Sequence, residues 1–90
     1  MTKTLKNKWK AALRSGKYKQ GRNHLYYRGR YCCLGVLAKV CDKNILTIED
    51  DDMLCYSFLT EIGLSFGKEQ EYACMNDAER LSFKEIAERI

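Results

Sequence analysis

The apolar segment at residues 33–41 constrains the fold of this chain most, because it offers almost no polar side to solvent. Its apolar residues recur at the spacing of one helical face: Cys33, Val36, Leu37, Val40 and Cys41. Leu34 and Ala38 fill the sides, which predicts a helix buried nearly all round at the centre of the core. Gly35 costs about 1 kcal/mol of helix propensity. It therefore indicates a close backbone contact with the first helix or a hairpin.

Two amphipathic helices are predicted near the ends of the chain. The first spans residues 4–14 and ends at Ser15-Gly16, with an apolar face of Leu5, Trp9, Ala12 and Leu13. Trp9 occupies a core position and is predicted to be buried; the alternative is an exposed anchor for a partner. The last helix begins at a capping box, Ser82 with Glu85, and continues with Phe83, Ile86, Ala87 and Ile90.

A β-hairpin is predicted between the first two helices. Two aromatic-rich runs, residues 24–27 and 30–33, flank a two-residue turn at Arg28-Gly29. Strict alternation assigns Leu25 and Tyr27 to one face of the hairpin, and His24 and Tyr26 to the other. One face packs inward and the other offers tyrosine and arginine to solvent. The basic loop before the hairpin, residues 17–23, is predicted to be a solvated turn.

The middle of the chain is acidic and less regular. Residues 45–48 are predicted to form a short strand, and the acidic run at 49–52 to start a helix, since carboxylates favour a helix N-terminus. That helix has an apolar stripe at Leu54, Phe58 and Ile62 and ends at Gly63. Residues 71–75 fit either a strand or a turn of helix.

These elements predict a small single α+β domain over residues 1–90, with a β-hairpin or small antiparallel sheet packed by about four helices. No apolar run reaches the roughly 18–20 residues that span a bilayer, and the N-terminus lacks the apolar core of a signal peptide. We therefore expect a cytoplasmic protein with no membrane contact. Five cysteines without a disulfide spacing are expected to be reduced and buried.

Charge is segregated along the chain. All twelve acidic residues follow residue 41, whereas eleven of the sixteen basic residues precede it. Tyrosines are interleaved with the basic residues, and this pattern indicates an anionic partner. The predicted binding surface comprises the lysine face of the first helix, the basic loop and the outer hairpin face. Its residues are Lys10, Arg14, Lys17, Tyr18, Lys19, Gln20, Arg22, His24, Tyr26, Arg28 and Arg30. The alternative is an ordinary solvated surface.

The sequence contains no pattern typical of catalysis, and we predict that the protein is not an enzyme and needs no cofactor. The basic loop lacks the glycine spacings of the common phosphate-binding loops. His24 has no evident nucleophile and acid around it, although a Cys–His pair is conceivable. A zinc site would have to combine His24 with Cys32 or Cys33 and Cys41, without the close cysteine pairs that zinc sites usually have.

Three stretches in combination carry a resemblance to a known family. They are Trp9 with ALRSGKYKQG at residues 12–21, then YCCLGVL at residues 31–37, and finally Asn76-Asp77 followed by Ser82-Phe83 and Ile86-Ala87. In this order they resemble a family of small uncharacterised proteins encoded by bacteriophages and prophages. The resemblance implies a viral context, in which small non-structural proteins commonly act on the host cell.

Two functions of different classes follow from the charge pattern and the resemblance. The first is a phage-encoded binding protein that inhibits or redirects a host component, such as an anti-phage defence complex, through its basic, tyrosine-bearing surface. Its target would be an acidic or nucleic-acid-binding protein, or a signalling nucleotide. The alternative is a nucleic-acid-binding accessory protein that contacts phosphates through the N-terminal basic half. The sequence does not indicate an oligomeric state.

Overall fold

A computed structural model of the chain describes residues 1–43 and 53–90. The predicted strand at residues 45–48 and the acidic run at 49–52 lie outside these residues. Within them the chain forms an α+β fold with five helices and a three-stranded sheet, in the order α1 (Lys3–Arg14), β1 (Lys19–Gln20), β2 (Tyr26–Tyr27), β3 (Arg30–Tyr31), α2 (Cys33–Val40), α3 (Tyr56–Ile62), α4 (Phe66–Asp77) and α5 (Phe83–Arg89). No helix in the described ranges is long and apolar enough to cross a membrane.

Helix α2 lies at the centre of the core, as its all-round apolar pattern predicts. Every residue from 33 to 38 is buried, and α2 packs against α1, α4 and β3. Helix α5 closes the other side of α1. The side chain of Trp9 is completely buried, and its indole N–H donates to the Cys33 carbonyl at 2.9 Å. Its ring also contacts Tyr72 edge-on, with the ring centroids 5.0 Å apart.

The helix ends follow local capping signals. Gly16 takes a left-handed conformation after α1, with φ of 76°, and Gly63 does the same after α3. Ser82 and Glu85 form the predicted capping box at the start of α5. The start of α3 differs from the prediction, because Cys55 is extended and the helix begins at Tyr56, beyond the acidic run. Residues 71–75 belong to α4 and are therefore helical.

The sheet contains the predicted hairpin and one strand more. Strands β2 and β3 pair antiparallel around Arg28-Gly29, and both turn residues have positive φ, as a tight hairpin turn requires. Strand β1 pairs with β3 in parallel, which gives the order β1-β3-β2. The prediction of a solvated turn at residues 17–23 is wrong for Lys19 and Gln20, because their backbone pairs with β3.

The cysteines divide into two environments. Cys32 and Cys33 are buried, and burial raises the pKa of the Cys32 thiol to about 12. Cys41 is half-buried, but Cys55 and Cys74 are exposed, so the prediction of burial is wrong for these two. The reason is position, since Cys55 precedes a short surface helix and Cys74 lies on the outer side of α4.

Gly35 is the point of closest backbone approach between α2 and the hairpin. A Cβ atom there would overlap the carbonyl oxygen of Leu25. We expect Gly35→Ala to lower the free energy of unfolding by about 3 kcal/mol, because the backbones at Gly35 and Leu25 would have to move apart. The matched control is Gly67→Ala in α4, where a Cβ meets nothing within 4 Å. Urea denaturation that ranks the control as equally damaging would contradict this contact.

Glu69 is a buried carboxylate that accepts the Leu54 N–H at 2.8 Å. Burial raises the pKa of Glu69 above its ordinary value, and the Leu54 N–H acts in the opposite direction. A group whose pKa is higher in the folded than in the unfolded state makes folding less favourable as the pH rises between these two pKa values. For a glutamate the lower of the two, the unfolded-state pKa, is about 4.3.

We therefore expect the unfolding free energy of the native protein, measured relative to Glu69→Gln, to fall as the pH rises from about 4 toward neutrality. Glu79→Gln, an exposed residue just after α4, serves as the control and should give no comparable trend. A relative stability that rises over this range would contradict the prediction. The measurement is chemical denaturation at a series of pH values.

Candidate functional site

The register of the sheet sorts its side chains into two rows. Lys19 is paired with Arg30, and Arg30 with Tyr27, so these three lie side by side on one face. All three are exposed. We call Lys19, Arg30 and Tyr27 the outer row. The second row, Gln20, Tyr31 and Tyr26, lies on the opposite face and is half-buried.

The second row is part of the core packing. The Tyr31 ring lies between Tyr26 and Tyr18, with centroid distances of 4.8 Å and 5.1 Å. All three rings pack against the hydrophobic core, and burial raises the pKa of Tyr31. Tyr18 and Tyr26, both predicted to bind a partner, are thus partly used by the fold.

The predicted alternation of the hairpin is wrong. Leu25 is buried, but Tyr27 is 40% exposed, so the two do not share an inward face. The physical reason is the register, because Tyr27 and Arg30 flank the turn and must point to the same side. The charge of Arg30 keeps that side in solvent. Tyr27 is therefore a surface residue that the sequence reasoning missed, and the two-residue turn was the signal that reveals it.

Tyr27 forms one wall of a shallow cleft. The cleft has a volume of about 100 Å³ and is lined by Gly21, Arg22, His24, Tyr27 and Arg30. The His24 ring lies 5.0 Å from the Tyr27 ring, and the Arg28 guanidinium lies 5.1 Å from its centroid. The Arg22 Nε is buried and has no hydrogen-bond partner among the described residues. Arg22 and Arg30 line the cleft and Arg28 lies against its aromatic wall, so their positive charges make the cleft suited to an anionic group.

Among the described residues, no carboxylate forms an ion pair with the cations of this surface. Within residues 1–43 and 53–90 the ion pairs are Lys43–Glu61 and Lys68–Glu71, and neither includes a residue of the sheet. The nearby carboxylate of Asp77 instead accepts the Asn23 N–H at 3.0 Å. The same part of the chain has no group of three His, Cys, Asp or Glu side chains that could bind a metal.

The structure brings together only part of the predicted binding set. Lys19, Arg22, His24, Arg28 and Arg30 surround Tyr27 on the outer face and at its cleft. The ammonium of Lys17 lies 5.6 Å from the Tyr18 ring, at the side of the sheet. Lys10 and Arg14 belong to α1, which packs mainly on α2 and α5.

Gln20 has a structural role. Its side-chain amide donates to the Asn76 Oδ1 at 2.9 Å and to the Leu81 carbonyl at 2.8 Å. Asn76 is fully buried; its Oδ1 also accepts the Cys33 N–H at 3.2 Å, and its Nδ2 donates to the Gly21 carbonyl at 2.9 Å. The amide of Asn76 therefore holds β1 and the loop after it in place beneath the outer row.

Comparison with known proteins yields a match over this part of the chain. The family model described as Domain of unknown function (DUF8296) matches residues 1–58. No curated protein and no solved structure matches. The matched residues include α1, the three strands and α2, and hence every residue of the predicted binding surface.

The Asn76 network predicts a large loss of stability on truncation. Asn76→Ala leaves the Cys33 N–H and the Gly21 carbonyl without their partner and the Gln20 amide with the Leu81 carbonyl alone. Each buried unsatisfied group costs about 1–3 kcal/mol. We expect the free energy of unfolding to fall by at least about 3 kcal/mol. Gln70→Ala, at an exposed position of the same helix, is the control. A loss for Asn76→Ala no greater than the control's would refute the structural role.

Proposed function

The chain belongs to the DUF8296 family, a domain of unknown function, and from its own surface we propose that it binds an acidic partner protein through the outer row of the sheet. The observation that carries this proposal is the exposed line of Lys19, Arg30 and Tyr27, flanked by Arg28; these cations form no ion pair with the described residues. Arginine and tyrosine are frequent anchors of interfaces, because each combines a large contact area with directed hydrogen bonds.

The shape of the surface favours a macromolecule over a small ligand. The cleft beside Tyr27 has about 100 Å³, whereas pockets that enclose a drug-sized ligand have about 300–1,000 Å³. A signalling nucleotide would therefore remain mostly in solvent at this cleft. A single carboxylate of a partner protein fits it better, with Arg22 and Arg30 on either side.

The surroundings of Tyr27 favour protein over nucleic acid. His24 and Arg28 already contact its ring, which reduces the area on which a base would stack. The ring edge and hydroxyl stay accessible to a protein partner. A partner that itself binds nucleic acid through a basic surface would be repelled there, so we favour an acidic surface.

The resemblance to small phage and prophage proteins supplies the proposed biological setting. In that setting the protein acts in the cytoplasm of a bacterial host, where it covers an acidic surface of a host protein and inhibits or redirects it. The proposed action is binding without turnover. A defence component is the partner that this setting favours.

Nucleic-acid binding is the second candidate, and the 40% exposure of Tyr27 beside several arginines is the observation that supports it. In this alternative the cations contact phosphates while Tyr27 stacks on a base. Its affinity would fall steeply with salt. The affinity of a desolvated contact with a protein should fall less as the salt concentration rises.

The two candidates are separated by capture from a bacterial lysate with the tagged protein, with and without nuclease, at two salt concentrations. The proposal predicts a protein that persists after nuclease treatment. We expect Lys19→Gln/Arg30→Gln to weaken its binding at least about tenfold, because both anchors are lost. The control Lys3→Gln/Lys84→Gln removes the same charge from exposed sites on α1 and α5 and should retain affinity within about twofold.

Two outcomes would count against the proposal. Captured material that disappears with nuclease and at high salt would favour nucleic-acid binding. A captured protein whose affinity falls equally in both double variants would mean that net charge, and not the outer row, governs association. The affinities are measured with the purified partner by surface plasmon resonance.

A further inference from the structure

A second cavity lies between α1, α4 and α5 and shares no residue with the cleft beside Tyr27. Its volume is about 250 Å³, two to three times that of the cleft. Its lining includes Lys6, Trp9, Ser65, Lys68, Tyr72 and Arg89. The proposed function makes no use of this cavity.

Three cations from three different helices converge on it. Lys6 belongs to α1, Lys68 to α4 and Arg89 to α5. Glu71 lies 3.3 Å from the Lys68 ammonium, and Glu85 lies one turn before Arg89 on α5. The cavity therefore keeps an excess of positive charge.

Tyr72 supplies a hydroxyl at the same place. Its side chain is only 7% exposed, and its ring is held edge-on against Trp9. Burial raises the pKa of Tyr72, and the positive charge of Lys68 acts against that rise. The Tyr72 hydroxyl can donate a hydrogen bond to an acceptor in the cavity.

Helix α4 adds to the positive potential. Ser65 caps its N-terminus and lines the cavity, and its hydroxyl accepts the Lys68 N–H at 3.1 Å. The N-terminus of a helix attracts anions through its dipole and its free N–H groups. Here that effect acts together with the three cations and the Tyr72 hydroxyl.

We propose that this cavity binds a small organic phosphate. A phosphate presents several acceptor oxygens at once, which matches cations and a hydroxyl that approach from separate elements. Leu64 also lines the cavity and offers apolar contact to a short carbon skeleton. The volume lies just below the range of drug-sized ligands, so the ligand is smaller than these.

The test uses the single tryptophan of the chain, Trp9, as a fluorescent reporter in the wall of the cavity. The purified protein is titrated with inorganic phosphate and with glycerol 3-phosphate, and sodium chloride keeps the ionic strength constant. We expect a saturable change of fluorescence, with a Kd of about 1 mM or lower for glycerol 3-phosphate. A response that equals that of added chloride would overturn the proposal.

Variants then test the site itself. Tyr72→Phe keeps the ring that packs on Trp9 and removes only the hydroxyl, and Arg89→Gln removes one cation. Each should weaken binding of glycerol 3-phosphate about tenfold, the effect of losing one hydrogen bond to a charged group. Lys84→Gln, exposed on α5 and outside the cavity, should leave the Kd unchanged. Equal weakening in all three variants, or in none, would refute this assignment, and thermal denaturation confirms that each variant is folded.

Discussion

The buried amide of Asn76 is the interaction on which the rest of this structure depends. It joins three distant segments, since its oxygen accepts from Gln20 and from the Cys33 backbone while its nitrogen donates to the Gly21 carbonyl. A buried amide is favourable only when its donors and acceptors are satisfied together. The Gln-Gly, Cys-Cys and Asn-Asp pairs of the three sequence motifs therefore meet at one place, which explains their occurrence in one chain without reference to a ligand.

The same network determines which side chains face solvent. The side chain of Gln20 is turned toward Asn76, so the preceding residue, Lys19, must point to the opposite face of the sheet. There it joins Arg30 and Tyr27, whose positions follow from the hairpin register. The tyrosines of the second row, Tyr26 and Tyr31, pack beneath them. The outer row is thus exposed because hydrogen bonds to buried polar groups fix the side chains on the opposite face of this very short sheet.

The two proposed sites use the segregated charge of the chain differently. The outer row and its cleft draw their cations only from the acid-free N-terminal part, and the cleft has only about 100 Å³. The cavity draws Lys6 from that part but Lys68 and Arg89 from the acidic half, and its volume is about 250 Å³. The smaller cleft suits a single group of a large partner, whereas the larger cavity suits a small anion. Neither site depends on the other, since they share no residue.

The sequence by itself determined the elements whose signals are local. Helices α1, α2 and α5 follow from apolar periodicity and end caps, and the hairpin follows from its two-residue turn. Only the tertiary structure decided that β1 pairs with β3, that Tyr27 is exposed and that the residues of α4 form a helix. Two of the four buried residues of α4 are the polar Glu69 and Asn76. The sequence of α4 therefore lacks the apolar stripe that would predict a helix. Their burial is compensated by hydrogen bonds to residues 15 to 56 positions away, and such long-range partners leave no trace in local periodicity.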